Sequence, residues 1–152
     1  MKASEELARG LQAVLVDLIE LTLQGKQAHW NIVGPNFRDL HLQLDEIVAA
    51  ARLHTDVIAE RMRALHVVPD GRSATVAKTT SLDEAHEGIV STSQAIDATV
   101  KALENTVATV RGIYSAVEEH DPATTDQLNE IILKLEQFAW MVGAEKMKTT
   151  TP

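Results

Sequence analysis

Cysteine is absent from this 152-residue chain. That excludes disulfides and thiolate metal sites, and it suits a reducing compartment. Aromatic residues make up only 3% of the sequence, with seven glycines and four prolines. A chain so poor in turn formers, yet 45% apolar and rich in Ala, Leu, Val, Glu and Lys, reads as all-α. No apolar run approaches the roughly 20 residues of a membrane span. The opening MKASEELARG sets acids where a secretory leader needs an apolar core, so a soluble cytoplasmic protein is expected. Positive charge is also scarce: 14 lysines and arginines face 22 acids, for a net charge of −8. That balance argues against a general nucleic-acid surface and favours attraction of cations.

What the sequence does have is helical periodicity. The length suits one domain and is short for two, so residues 1–152 are read as a single domain. A first helix is expected from Ser4 to Val33, with Leu7, Leu11, Val14, Leu15, Leu18 and Leu21 at helical spacing and a stop at Gly34-Pro35. Asn36 reads as the N-cap of a second helix that runs to about Leu65, before the turn signal Pro69-Asp70-Gly71. Residues 66–80 show no clear period, and the capping-box pattern SLDE at 81–84 is expected to open a short extra helix. A third long helix starts near Thr92. Asp121-Pro122 marks the start of a fourth, with Leu128, Ile131, Ile132, Leu135, Phe138 and Val142 on its buried side. The pattern predicts a four-helix bundle with one long connection between helices two and three.

The second helix carries a charged stripe that solvation alone does not account for. With His41 at zero and about 100° per residue, Asp45, Asp56 and Glu60 fall at roughly 40°, 60° and 100°, beside the core-facing arc. His41 and Asp45 precede an alanine run, Asp56 and Glu60 follow it, and both intervals are four residues. The centres of the two pairs are roughly 22 Å apart on a straight helix, while metal–ligand bonds are about 2 Å. One helix cannot close both pairs on one ion. Two copies crossing antiparallel near residues 50–51 would join each half to the other chain's complementary half, with Ala49 allowing close approach. The rival reading is a solvated face: carboxylates at this spacing are common on helices, and Arg38, Arg52 and Arg63 share the stripe as ion-pair partners. On the first helix His29 faces inward, as a core or interface histidine would, and Trp30 beside it reads as packing. No glutamate stands three residues before any histidine, so the intrabundle Glu-x-x-His arrangement of ferritin-like carboxylate sites is not expected.

The segment HWNIVGPNFRDLHLQLDEI, followed by DVIAERMRAL and later LEQFAW, resembles the Dps proteins, the small ferritins of bacteria. The likeness runs from about Leu7 to about Met147. It implies a ferritin-like four-helix bundle assembled into a hollow shell of twelve subunits, a dodecamer with a ferroxidase centre at each two-fold interface. By that resemblance His29, His41 and Asp45 would bind iron from one subunit and Asp56 and Glu60 from its mate. Trp30 matches the tryptophan thought to quench oxidising radicals beside the centre. The implied reaction is oxidation of Fe(II) by hydrogen peroxide, or more slowly by dioxygen, followed by storage of ferric mineral and protection from oxidative damage. Mixed imidazole and carboxylate ligation with open positions suits that iron chemistry.

The junction of helices three and four is crowded with Glu118, Glu119, Asp121, Asp126 and Glu130. The resemblance makes Asp121 and Asp126 cation guides at a three-fold pore, while helix-end electrostatics explains the same acids. Two other functions compete. Many Dps proteins compact DNA with lysine-rich tails and associate with the nucleoid. Here the first ten residues set Lys2 and Arg9 against Glu5 and Glu6, and the last stretch adds only Lys146 and Lys148, so weak DNA binding or none is expected. A metal at the same site would also activate water for hydrolysis, although nothing in the sequence designates an acyl-substrate pocket.

Overall fold

The computed structural model describes residues 2–118 and 121–149. Its elements in order are α1 (Glu5–Asn31), β1 (Ile32–Val33), α2 (Phe37–Ala64), α3 (Ser73–Thr79), β2 (Val90–Ser91), α4 (Thr92–Glu118) and α5 (Pro122–Ala144). Ser4 caps α1, its Oγ accepting the Leu7 N–H at 3.1 Å, and Glu5 and Glu6 place negative charge in the first turn. The helix ends at Asn31 because the chain turns extended at Ile32.

The long helices form a closed ring in which α1 packs on α2 and α4, and α5 completes it against the same two. Ile32 pairs with Val90 in a two-residue parallel ladder. That pairing sets the start of α4 beside the end of α1, so α4 runs parallel to α2. Apolar residues at helical spacing on all four long helices fill the interior. Leu11, Leu18, Leu44, Ile47, Ile58, Met62, Leu103, Leu128 and Leu135 are fully buried, and Val100 and Tyr114 sit at the core's edge. Each such leucine or isoleucine contributes about 1.5–3 kcal/mol by leaving water. No helix among the described residues is long and apolar enough to cross a membrane.

The connection from α2 to α4 differs from expectation in one place. The short helix lies at Ser73–Thr79 and not at 81–84. Asp70 opens it by accepting from the Arg72 N–H and from Thr75 Oγ1, and Val76 anchors it in the core at 1% exposed. Ser81 is unavailable as a helix cap because Asp17 takes it. Buried in mid-α1, Asp17 accepts from Thr80 Oγ1, Ser81 N, Ser81 Oγ and Thr109 Oγ1 at 2.6–2.9 Å. One carboxylate thus ties the connection and α4 to α1.

Two predicted caps occupy their positions without capping. Asn36 precedes α2 in a left-handed conformation (φ 58°), and its amide donates to Glu145 at 3.0 Å. Asp121 precedes Pro122 at the start of α5, but its side chain makes no cap. It receives both of its 2.7 Å ion-pair contacts from Arg61 Nη2 on α2, while Arg61 Nε donates to Thr124 Oγ1. This clamp fixes the C-terminal half of α2 against α5.

Candidate metal centre

Where α1 ends beside the first turns of α2, the two helices run close. A Cβ on Gly25 would meet Val48 Cγ2 at 2.7 Å, so only glycine permits this separation without a shift. One turn on, His29 and His41 stack with ring centroids 3.6 Å apart and planes 17° off parallel. Their hydrogen bonds are reciprocal: His29 Nδ1 bonds the His41 carbonyl and His41 Nδ1 the His29 carbonyl, both at 2.8 Å. The His29 carbonyl is available because it lies in the last turn of α1, where helical acceptors run out of donors. A carbonyl only accepts, so each Nδ1 carries the proton and each Nε2 is left as a lone-pair donor. That is the supported tautomer of a metal-binding histidine.

Asp45 stands beside this pair, its Oδ1 3.5 Å from His29 Nδ1. The structure adds two residues that the sequence reading passed over. Lys26 Nζ contacts Asp45 Oδ1 at 2.5 Å, and its hydrogen bond holds the Asp45 carboxyl below the usual carboxylate range. The same ammonium lies 5.9 Å from the Trp30 ring centroid. Phe37 stacks on the outer side of His41 at 5.1 Å. Spacing could have flagged both: Lys26 lies three and four residues before His29 and Trp30, and Phe37 four before His41.

The other two expected ligands lie further along α2. Asp56 and Glu60 are exposed and make no hydrogen bond or ion pair among the described residues. The arginines that offered a rival explanation do not pair with the stripe either. Arg63 donates to the Val67 carbonyl, and Arg38 and Arg52 are exposed. Among the described residues of a single chain, no three groups of His, Cys, Asp or Glu come together to hold a metal ion. Trp30 is 68% exposed next to the histidine pair, so it covers no core.

At the α4–α5 junction the acids part company. Asp126, Glu118 and Glu130 are exposed, and Glu119 lies outside the described residues. Asp121 is buried in the Arg61 clamp. Burial raises its pKa, and the bonds from Arg61 and Thr124 outweigh that and leave it below the ordinary value. Its carboxylate is engaged within the fold and does not face solvent. His54, across α2 from the stripe, is buried at 8% exposed, and burial pushes its imidazole below the ordinary value.

Comparison with known proteins agrees with this architecture. Residues 8–149 match the Ferritin-like domain. The chain is 30% identical to DNA protection during starvation protein 2 of Deinococcus radiodurans over 97% of its own length and 63% of that protein's, so it spans less than two thirds of that relative. It is 33% identical to the DNA protection during starvation protein of Halobacterium salinarum, covering 90% of this chain and 75% of that one. A crystal structure of Dps92 from Deinococcus radiodurans superposes with a TM-score of 0.92 at 29% identity, over 97% of this chain and 89% of the other. The chain belongs to the ferritin-like family, and within it to the Dps proteins.

Proposed function

We propose that the protein oxidises and stores iron at centres shared between two copies of itself. The observation that carries this reading is the stacked His29–His41 pair, with both Nδ1 atoms committed to carbonyls and both Nε2 atoms left to bind. Asp45 adds a carboxylate beside the pair, its Oδ1 3.5 Å from His29 Nδ1. Asp56 and Glu60 have no partner among the described residues and lie on the exposed face of the same helix, too far along it to join the histidines within one chain. Two copies crossing antiparallel near residues 50–51, with Ala49 allowing close approach, would bring His29, His41 and Asp45 of one chain to Asp56 and Glu60 of the other. A two-fold axis makes two such centres at once.

In this account iron is the substrate. Imidazole nitrogens and carboxylates bind Fe(II) and leave positions for an oxidant, and the harder carboxylates favour the Fe(III) product. Two Fe(II) ions each give up one electron, and hydrogen peroxide takes both as its O–O bond breaks to two hydroxides. Dioxygen serves as the slower oxidant. Trp30, exposed beside His29, is placed to surrender an electron to any radical that escapes. A closed assembly of twelve copies would retain the ferric product, and exposed Asp126 is the acid we assign to drawing cations towards its pores. Protection of DNA would follow from removing Fe(II) and peroxide together. Direct contact with DNA is not required, and the net charge of −8 opposes it.

The reading is tested by anaerobic addition of peroxide to Fe(II)-loaded protein. His41→Ala combined with Asp45→Ala is expected to slow the fast phase by at least about a hundredfold, since ligands matter more than the supporting bonds worth about 10–100-fold. Light scattering should show the same assembly as the parent. Unchanged kinetics in the double variant would overturn the assignment.

A further inference from the structure

About 160° round α2 from Asp56, on the side away from the charged stripe, lies His54. It is 8% exposed and forms no hydrogen bond with any described residue, and neither of its ring nitrogens is sealed from solvent. A histidine so deeply set normally finds a protein partner. This one instead lines an open groove between α2 and α5, shared with Ala50 and Leu53 from its own helix and with Glu130, Leu133 and Lys134 from the other. A second unpartnered group stands on α5, three residues before Glu130. Gln127 Oε1 is the single buried side-chain acceptor among the described residues that has no hydrogen bond.

The register brings these groups together. Arg61 meets Thr124, and α2 and α5 run antiparallel, so His54, seven residues back, faces the region seven residues on from Thr124. Glu130 stands one residue before that position and Gln127 four before it, and the two share a face of α5, being three residues apart. Glu130 is exposed and takes no ion pair among the described residues. The opposing charge is Lys134. Its ammonium reaches along its own helix to Gln137 Oε1 at 3.2 Å and lies over the Phe138 ring at 4.7 Å.

We infer that this seam is a second metal site, holding a divalent first-row transition ion through a His54 ring nitrogen, the Glu130 carboxylate and the Gln127 carbonyl oxygen. An imidazole with two oxygen donors selects Fe(II), Co(II) or Zn(II) over Mg(II) and Ca(II), which require more oxygen ligands and no nitrogen. Water completes the shell from the open side. The site lies within one chain and stands independently of the shared oxidation centre.

The test uses the assembled protein carrying His41→Ala and Asp45→Ala, so that the oxidation centre does not contribute. Calorimetric titration with Co(II) should give one ion per chain with sub-millimolar affinity, and cobalt-soaked crystals should show an anomalous peak between His54 and Glu130. Adding His54→Gln, or separately Glu130→Gln at an exposed position that the fold does not need, should weaken binding by more than about tenfold. Lys134→Gln should tighten it. Absence of Co(II) binding in the double variant, or binding indifferent to both His54→Gln and Glu130→Gln, would overturn the site and leave the oxidation centre untouched.

Discussion

Lys26 shows how much one unanticipated residue changes the chemistry of a centre. Its ammonium occupies Asp45 at 2.5 Å, the position from which a cation would be bound, and it keeps that carboxylate ionised. An incoming ion must displace it. Lys26→Gln is therefore expected to tighten Co(II) binding at the centre by up to about fivefold, the range open to an exposed ion pair. Calorimetry checks this, and weaker binding in the variant would mean that Lys26 assists the metal. The mirrored pattern of His41, Asp45, Asp56 and Glu60 was legible in the sequence because helical spacing sets their faces, whereas His29 joined the proposed set only through the family resemblance. Spacing places Lys26 beside His29 and Trp30, but its pairing with Asp45 was not legible, because that partner lies on another helix and only the packing distance between α1 and α2 reveals the pair. The state of the histidines was equally hidden, since it depends on a carbonyl freed by the end of α1.

Between helices, a few close contacts govern the geometry. Gly25 sets the α1–α2 separation through its approach to Val48. Gly25→Ala should cost about 1–3 kcal/mol by overpacking, read from denaturant melts, and should weaken Co(II) binding at the same time because the His29–His41 stack lies one turn away. A variant that loses stability yet binds as before would dissociate the two. The Arg61–Asp121 clamp holds α2 to α5, and Asp121→Asn would leave a guanidinium unpaired beside a buried amide, at a cost of about 3 kcal/mol. The sign with pH follows from linkage. The Asp121 pKa is lowered in the fold, so its contribution is complete above the ordinary value of 3.8 and fades as pH falls through the lower, folded value. Parent and Asp121→Asn melts should therefore converge in strong acid, and a constant gap would contradict the clamp. Long periodic helices were readable from apolar spacing and from stops such as Gly34-Pro35. The short helix was misplaced from 73–79 to 81–84 because SLDE has the right local pattern, while Ser81 is claimed by Asp17, some sixty residues earlier. Local rules cannot see that competition.

At the scale of the whole molecule, the proposed iron centre is divided, a single chain carrying two incomplete halves of it. The histidine half is pre-organised within the chain, and the Asp56–Glu60 half waits on the same exposed helix face. Subunit mixing tests this most directly. Protein carrying His41→Ala and Asp45→Ala is unfolded and refolded together with an equal amount carrying Asp56→Asn and Glu60→Gln, each inactive in peroxide-driven Fe(II) oxidation alone. In a mixed pair one of the two centres draws both halves from unmutated positions, so random pairing should restore about a quarter of the parent rate. Recovery near that level is the predicted result. A mixture as inactive as its components, under conditions where refolded parent regains full activity and mass analysis shows mixed assemblies, would contradict the shared centre.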